Sequence, residues 1–258
     1  MIGDYDMRKN KLALSLSPLG LLTLAACGGG GGTSGTSGSG ITVTGNVQKG
    51  PLSDAFVFLD YNGDELYDDG TGSNAAEPSV RSDSSGNFTL QATQDTFSII
   101  AITDDSTVDT SSGVVLDGVI LKAPEGSSML TPATTLMKEG NLTATQVVAV
   151  LGLPDTVNPM TFDAFASDVN ATEALAVEKA SHQIMSVINA FAAAVEGSGA
   201  SQSDSFKTAL GSVVEVIKVN AAANTTIDLA NNADFISIKT QVLQDVTSVV
   251  NAYVTAFN

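Results

Sequence analysis

Residues 60–69, DYNGDELYDD, set five acidic side chains in ten positions, and no Lys or Arg occurs between Lys49 and Arg81. Like charges this close repel by on the order of 1 kcal/mol per pair near a surface unless a cation intervenes. Hard divalent cations take oxygen ligands, and a twelve-residue calcium loop spaces them at positions 1, 3, 5, 7 (a backbone carbonyl), 9 and 12. With Asp60 at position 1, Asn62, Asp64, the Leu66 carbonyl and Asp68 occupy the next four ligand positions. Two residues depart from the pattern. Position 6 is Glu65, where Gly suits the sharp turn, and position 12 is Thr71 rather than a carboxylate. Excising the small, polar TGSNAA, residues 71–76, would bring Glu77 to position 12. The metal set read from the spacing is therefore Asp60, Asn62, Asp64, Leu66, Asp68 and Glu77, with calcium in a structural role. Glu65 and Asp69 are expected to be solvated bystanders. A solvated acidic turn with no ion is the alternative, because loops tolerate unpaired charge.

The second chemically distinctive residue is Cys27, the only cysteine of the chain, which can form no internal disulfide. Ahead of it lie Arg8, Lys9 and Lys11 and then an apolar run over 12–26. That layout is a signal peptide, too short and wrongly flanked for a membrane-spanning helix. Asp4 and Asp6 are out of place in a basic leader, which makes Met7 an alternative start to Met1. Leu24-Ala25-Ala26-Cys27 resembles the lipobox of bacterial lipoproteins, in which the cysteine carries diacylglycerol and becomes the new N-terminus. The resemblance implies a signal peptide over 1–26, lipidation of Cys27 and a membrane as partner through the lipid. Gly28, rather than Asp, in the following position implies the outer membrane over the inner. A plain secretory signal with an incidental cysteine is the alternative.

Residues 27–40 are a Gly/Ser/Thr tether, whose typical reach is roughly 20 Å for a flexible chain. It has no Lys and no flanking strand and helix, so it is not a phosphate-binding loop.

Catalytic constellations are sparse. No G-x-S-x-G, no H-E-x-x-H and no Ser-His-Asp set can be drawn with one histidine. His182 is expected on a helix surface, paired with Glu178 one turn earlier. Paired carboxylates leave an envelope hydrolase as an alternative, although a Trp-free chain with 5% aromatic residues offers few platforms for a sugar. The reading is non-catalytic.

The bulk charge points the same way. The formal net charge is −17, and removal of residues 1–26 leaves 8 Lys+Arg against 26 Asp+Glu, a charge of −18. Such a surface repels phosphate backbones, so nucleic acid is excluded as a partner. Cationic partners suit it better, and an envelope protein or polysaccharide is the candidate macromolecular partner.

The elements that must position the loop fall in two segments, within a chain whose 43% hydrophobic residues suffice for real cores. Over 41–126, ITVTGNVQKG, AFVFLD, GNFTL, FSIIAIT and GVVLDGVILKA read as short strands separated by turn residues, the pattern of a β-sandwich. Over 127–258 the period becomes helical. Thr131 and Pro132 open one helix that Gly140 ends; Thr143 and Gln146 form a capping box; Asn170 and Glu173 open a long helix. Its apolar stripe is Val177, Ala180, Ile184, Val187, Ile188, Phe191 and Val195; further stripes run through Phe206, Leu210, Val213, Val214 and Ile217, and through Ile238, Val242, Val246, Val249, Tyr253 and Phe257. Helices with one apolar face pack on one another or on the sheet. The expected class is α+β, an N-terminal prealbumin/Ig-like β-sandwich and a small C-terminal α-helical bundle.

The segment GNVQKGPLSDAFVFLDYNGDELYDDG…EPSVRSDSSGNFTL resembles the B-type repeats of Gram-positive surface adhesins and the carboxypeptidase-regulatory-like domains. Those are prealbumin-type sandwiches, and the B-type repeats carry D-x-N-x-[ND]-G-x-x-D-x-G-E-P and bind calcium. Asp60, Asn62, Asp64, Asp68, Gly70, Glu77 and Pro78 match that motif. LTPATTL…VLGLP with ALAVEKASHQIMSVINA is similar to helical segments that follow such domains in large secreted proteobacterial proteins. The resemblance implies a calcium-stabilised, adhesin-like cell-envelope module.

Overall fold

The computed structural model describes residues 40–256, the last nine of them as backbone alone. Cys27, the signal segment 1–26, the tether up to residue 39 and the side chains of Val249, Tyr253 and Phe257 lie outside the described residues.

Strong β-formers build three sheets. In the first, β1 (Ile41–Val47) pairs antiparallel with β5 (Asn87–Ala92) and parallel with β10 (Met129–Leu130). β5 alternates exposed and buried residues along its whole length, as a strand with one wet face should. A four-stranded antiparallel sheet follows the order β4 (Ser79–Arg81), β3 (Phe56–Asp60), β6 (Ser98–Ile102), β9 (Ile120–Ala123). The third joins β2 (Leu52–Ser53), β7 (Val108–Asp109) and β8 (Val114–Val115).

β3, β6 and β9 are buried almost end to end instead of alternating, because both faces of their sheet are covered. Their register places Phe58, Ile100 and Lys122 in one row across the sheet. The Lys122 side chain reaches Glu139 in α1 (Pro132–Gly140), so this row faces the helices. By the two-residue period of a strand, Leu59 and Ile99 point the opposite way.

The helix signals act as their chemistry dictates. Thr131 caps α1 reciprocally with Thr134, and Thr143 caps α2 (Ala144–Leu151) with Gln146. Asn170 accepts from Thr172 N and Glu173 N at the start of α3 (Ala171–Glu196), and Ser201 caps α4 (Gln202–Ala223). α5 (Asn232–Ala256) completes the set. Gly140 is the last residue of α1, but the left-handed cap is Asn141 at φ 49°; asparagine tolerates this region through local hydrogen bonding of its side chain. The apolar stripes of α3 and α4 are buried throughout, and on α5 Ile238 and Val242 are buried.

One apolar cluster runs from Val57 and Leu121 of the central sheet through Leu130 and Leu136 to Ile184, Leu210 and Ile238 of the helices. The α+β order of sheet region and helical segment is present, yet the two share a core. Residues beyond the expected boundary at 126/127 complete the first sheet, because β10 supplies the parallel neighbour of β1. Five strands, β2, β4, β7, β8 and β10, have only two or three residues each, too few for a period-two signal in sequence. GVVLDGVILKA divides into β8 and β9 at Gly118, whose φ of 72° breaks the strand.

Candidate metal centre

The acidic loop leaves the central sheet at Asp60, which ends β3 and is buried. Its two carboxylate oxygens accept from Gly63 N at 2.7 Å and Glu65 N at 3.3 Å. Asn62 Oδ1 accepts from Asp64 N, while Asn62 Nδ2 donates to Asp64 Oδ2 at 3.0 Å and Asp68 Oδ2 at 2.8 Å. Asp64 Oδ1 in turn accepts from Leu66 N. The first, third, fifth and ninth positions thus form one hydrogen-bonded turn, and the Leu66 side chain at the seventh is exposed.

Glu77 closes this turn across the excursion. Residues 71–76 are all exposed, and Glu77 N returns to Asp68 O at 2.9 Å. Its side chain is buried, with Oε1 accepting from Tyr61 N at 2.9 Å and Oε2 from Asp68 N at 3.1 Å. Burial pushes the Glu77 carboxyl above its ordinary value; the two N–H groups oppose this, and the charges of Asp60 and Asp68 add to it. Three carboxylates therefore sense one another at the mouth of the loop.

Glu65 is not a solvated bystander. It adopts the left-handed region, φ 63°, at the position where a calcium loop favours glycine, and its carboxylate is engaged on both oxygens. Lys122 Nζ lies 2.5 Å from Oε1 and Lys207 Nζ 3.3 Å from Oε2. Lys122, almost fully buried, also meets Glu139 at 2.6 Å. Burial alone would raise the Glu65 carboxyl, but the Lys122 hydrogen bond and the two ammonium charges outweigh it and hold it below the usual 4.5. A left-handed non-glycine residue costs about 1–2 kcal/mol, which partly buried ion pairs can offset where a free side chain could not. Asp69 is exposed as expected, bonded only to Thr71.

Aromatic contacts fix the loop further. Tyr67 meets Phe56 and Phe58 edge-on at 5.1 and 5.7 Å, and the Tyr61 hydroxyl accepts from Thr93 N at 2.8 Å. The loop is thus held to β3, to the turn after β5, to β9 and to α4. Of these anchors, Tyr61 and Tyr67 are suggested by their amphipathic character, but the lysines lie 57 and 142 residues away from Glu65, so no local pattern connects them.

The donor set is all oxygen, which suits a hard cation. Among the described residues, however, no three His, Cys, Asp or Glu side chains are gathered as a ready metal-holding group. The physical reason is the hydrogen bonding above: Asp60 and Glu77 face backbone N–H groups, and the Asn62 amide nitrogen sits between Asp64 and Asp68. The oxygens of Asp60, Asp64 and Glu77 each accept one hydrogen bond and keep a second lone pair, whereas Asp68 Oδ2 accepts from both Asn62 Nδ2 and Asn74 Nδ2, so the two amides would have to turn away before it could meet a cation. The residues fit calcium by chemistry, with local closing required.

His182 is exposed. No hydrogen bond or ion pair joins it to Glu178, whose side chain is half-buried on α3, so that burial pushes its carboxyl up to about 7. No described helix is long and apolar enough to cross a membrane. In comparison with known proteins, the chain matches no family model, no curated protein and no solved structure.

Proposed function

We propose that this chain is a lipid-anchored, non-catalytic binding or structural protein of the bacterial outer membrane, held through Cys27, with a calcium-stabilised sheet region of the B-type-repeat, prealbumin/Ig-like kind. The observation that carries the calcium reading is the return of Glu77, after a wholly exposed excursion, to the backbone of Tyr61 and Asp68. That contact supports Glu77 as the closing carboxylate beside Asp60, Asn62, Asp64, Asp68 and the Leu66 carbonyl. Calcium there would neutralise the mutual repulsion of the loop and brace the end of β3. In compartments outside the inner membrane, even a site with a Kd of about 10⁻⁴ to 10⁻³ M is useful. Calcium at 100 times Kd would add about 2.7 kcal/mol of stability.

The test is thermal melting of the processed protein, residues 27–258, with calcium, with magnesium and with chelator. A calcium-specific rise in Tm that disappears in the double variant Asp60→Ala, Asp64→Ala is expected. No rise in the wild type, or an equal rise in the variant, sinks the calcium reading. Palmitate labelling that is lost in Cys27→Ser tests the anchor independently.

A second reading is an accessory lipoprotein that docks a protein through its helices. Exposed Leu175, Val219, Ile236 and Leu243 favour it. Because sheet and helices share a core, the discriminating variants are polar substitutions at these four positions, not deletion of 127–258. Loss of a cross-linked envelope partner without loss of Tm is its requirement.

A further inference from the structure

Asn62 is followed by Gly63, the only Asn-Gly pair in the chain, and both residues are exposed. A glycine in that place leaves its own backbone nitrogen unshielded by a side chain. Gly63 has φ 78°, and a Cβ added to it would meet nothing within 4 Å, so water has open access to the pair. Only Cβ, Cα and the carbonyl carbon separate Asn62 Cγ from Gly63 N, so attack of the nitrogen on Cγ closes a succinimide ring.

The groups around that ring are those an acyl substitution needs. Asp60 Oδ1 accepts from Gly63 N at 2.7 Å, within the reach of a general base. Asp60 is buried at the end of β3, so the sheet fixes this oxygen in place. Asp64 N donates to Asn62 Oδ1 at 2.9 Å, the distance at which a backbone N–H stabilises negative charge developing on a carbonyl oxygen. Asn62 Nδ2, the atom that leaves, donates to Asp64 Oδ2 at 3.0 Å and Asp68 Oδ2 at 2.8 Å. The side-chain amide is thus held at both ends while its nucleophile lies against a base.

We infer that Asn62-Gly63 is a self-modifying site of the acidic loop, at which the Asn62 amide is converted to a carboxylate with Asp60 as the base. Gly63 N attacks Asn62 Cγ while its proton passes to Asp60 Oδ1. The Cγ–Nδ2 bond then breaks, and Asp60 returns the proton to the departing nitrogen, which leaves as ammonia. Water opens the succinimide: cleavage of the new N–Cγ bond gives aspartate, and cleavage of the backbone N–C bond gives isoaspartate. Water is the one other reactant, and no atom changes oxidation state. The product no longer donates to Asp64 and Asp68 and sets a further negative charge between them, and isoaspartate also lengthens the backbone by a methylene. The loop is thereby changed from one bridged by an amide to one whose carboxylates repel.

The test is peptide mapping by mass spectrometry after incubation of the processed protein, residues 27–258, at neutral pH in chelator, which keeps the outcome separate from the calcium reading. Trypsin releases residues 50–81 as one peptide, in which Asn74, followed by Ala75, is an internal comparison. Deamidation at Asn62 severalfold faster in the folded protein than in the same chain in guanidinium chloride is expected. Folded Asp60→Asn should fall to the unfolded rate or below it. A rate in the folded wild type equal to or below the unfolded one overturns the inference, as does an undiminished rate in folded Asp60→Asn. Should Asp60→Asn fail to fold, the wild-type comparison of folded with unfolded chain decides alone.

Discussion

Glu65 and Lys122 form the shortest ion pair to the acidic loop, 2.5 Å between Oε1 and Nζ, and they do so across the junction of loop, sheet and helices. The pair explains why a residue other than glycine occupies a left-handed backbone position. The side chain that strains the turn is also the one that fastens it to β9 and, through Lys207, to α4. If the loop holds calcium, its geometry and the docking of the helices are coupled by this residue.

Replacing Glu65 separates the two effects. Glu65→Ala keeps the left-handed strain and loses both ion pairs, whereas Glu65→Gly loses the pairs and relieves the strain. Urea unfolding should find the glycine variant more stable than the alanine variant by about 1 kcal/mol.

Lys122 is the buried member of the cluster, and its removal leaves Glu65 and Glu139 facing each other. Lys122→Met should cost about 3 kcal/mol, measured by the same unfolding. Lys207 is 40% exposed, so Lys207→Ala should cost under about 1 kcal/mol.

The same pair sets an acid limit. The Glu65 carboxyl is held below 4.5 in the folded chain, so its contribution is present above the unfolded value and lost as pH falls through the folded one. The stability difference between wild type and Glu65→Gln should be constant above about pH 5.5 and shrink below about pH 4.5. A difference that grows toward acid pH contradicts the assignment.

The excursion 71–76 should be dispensable. A Cβ placed on Gly70 would lie 2.8 Å from Ala76 Cβ, so the loop returns beside Gly70 one residue before the Glu77 end that deletion would leave. Deleting these residues should change stability by about 1 kcal/mol or less and retain any calcium-induced rise in Tm, whereas Glu77→Gln should abolish that rise.

The sheet region should not fold alone. A fragment ending at residue 126 lacks Met129 and Leu130 of β10 and the α1 core residue Leu136. Circular dichroism should find no cooperative melt for residues 41–126, while residues 41–258 unfold in one transition.

How legible the molecule was in its sequence depended on the range of the interactions involved. The capping boxes at Thr143 and the cap at Asn170 could be read because each partner lies within three residues. The α3 stripe could be read because a 3.6-residue period repeats across seven positions. The ligand spacing from Asp60 to Asp68 is local too, and the placement of Glu77 followed from recognising 71–76 as a polar insertion. The short strands β7 and β10 carried no such signal; their existence depends on Leu52 and Asn46 pairing with them across 57 and 83 residues.

Sequence by itself determined the order of strands before helices, the starts of α1, α2 and α3 and the oxygen-rich character of the loop, since these follow from backbone propensity and side-chain chemistry over a few residues. Tertiary structure alone decided that Glu65 is a clamp, that Lys122 bridges Glu65 and Glu139, and that sheet and helices share one core. Each of those facts joins residues far apart in the chain, and burial supplies the reason they matter: an ionic group removed from water must find its partner wherever the fold brings one.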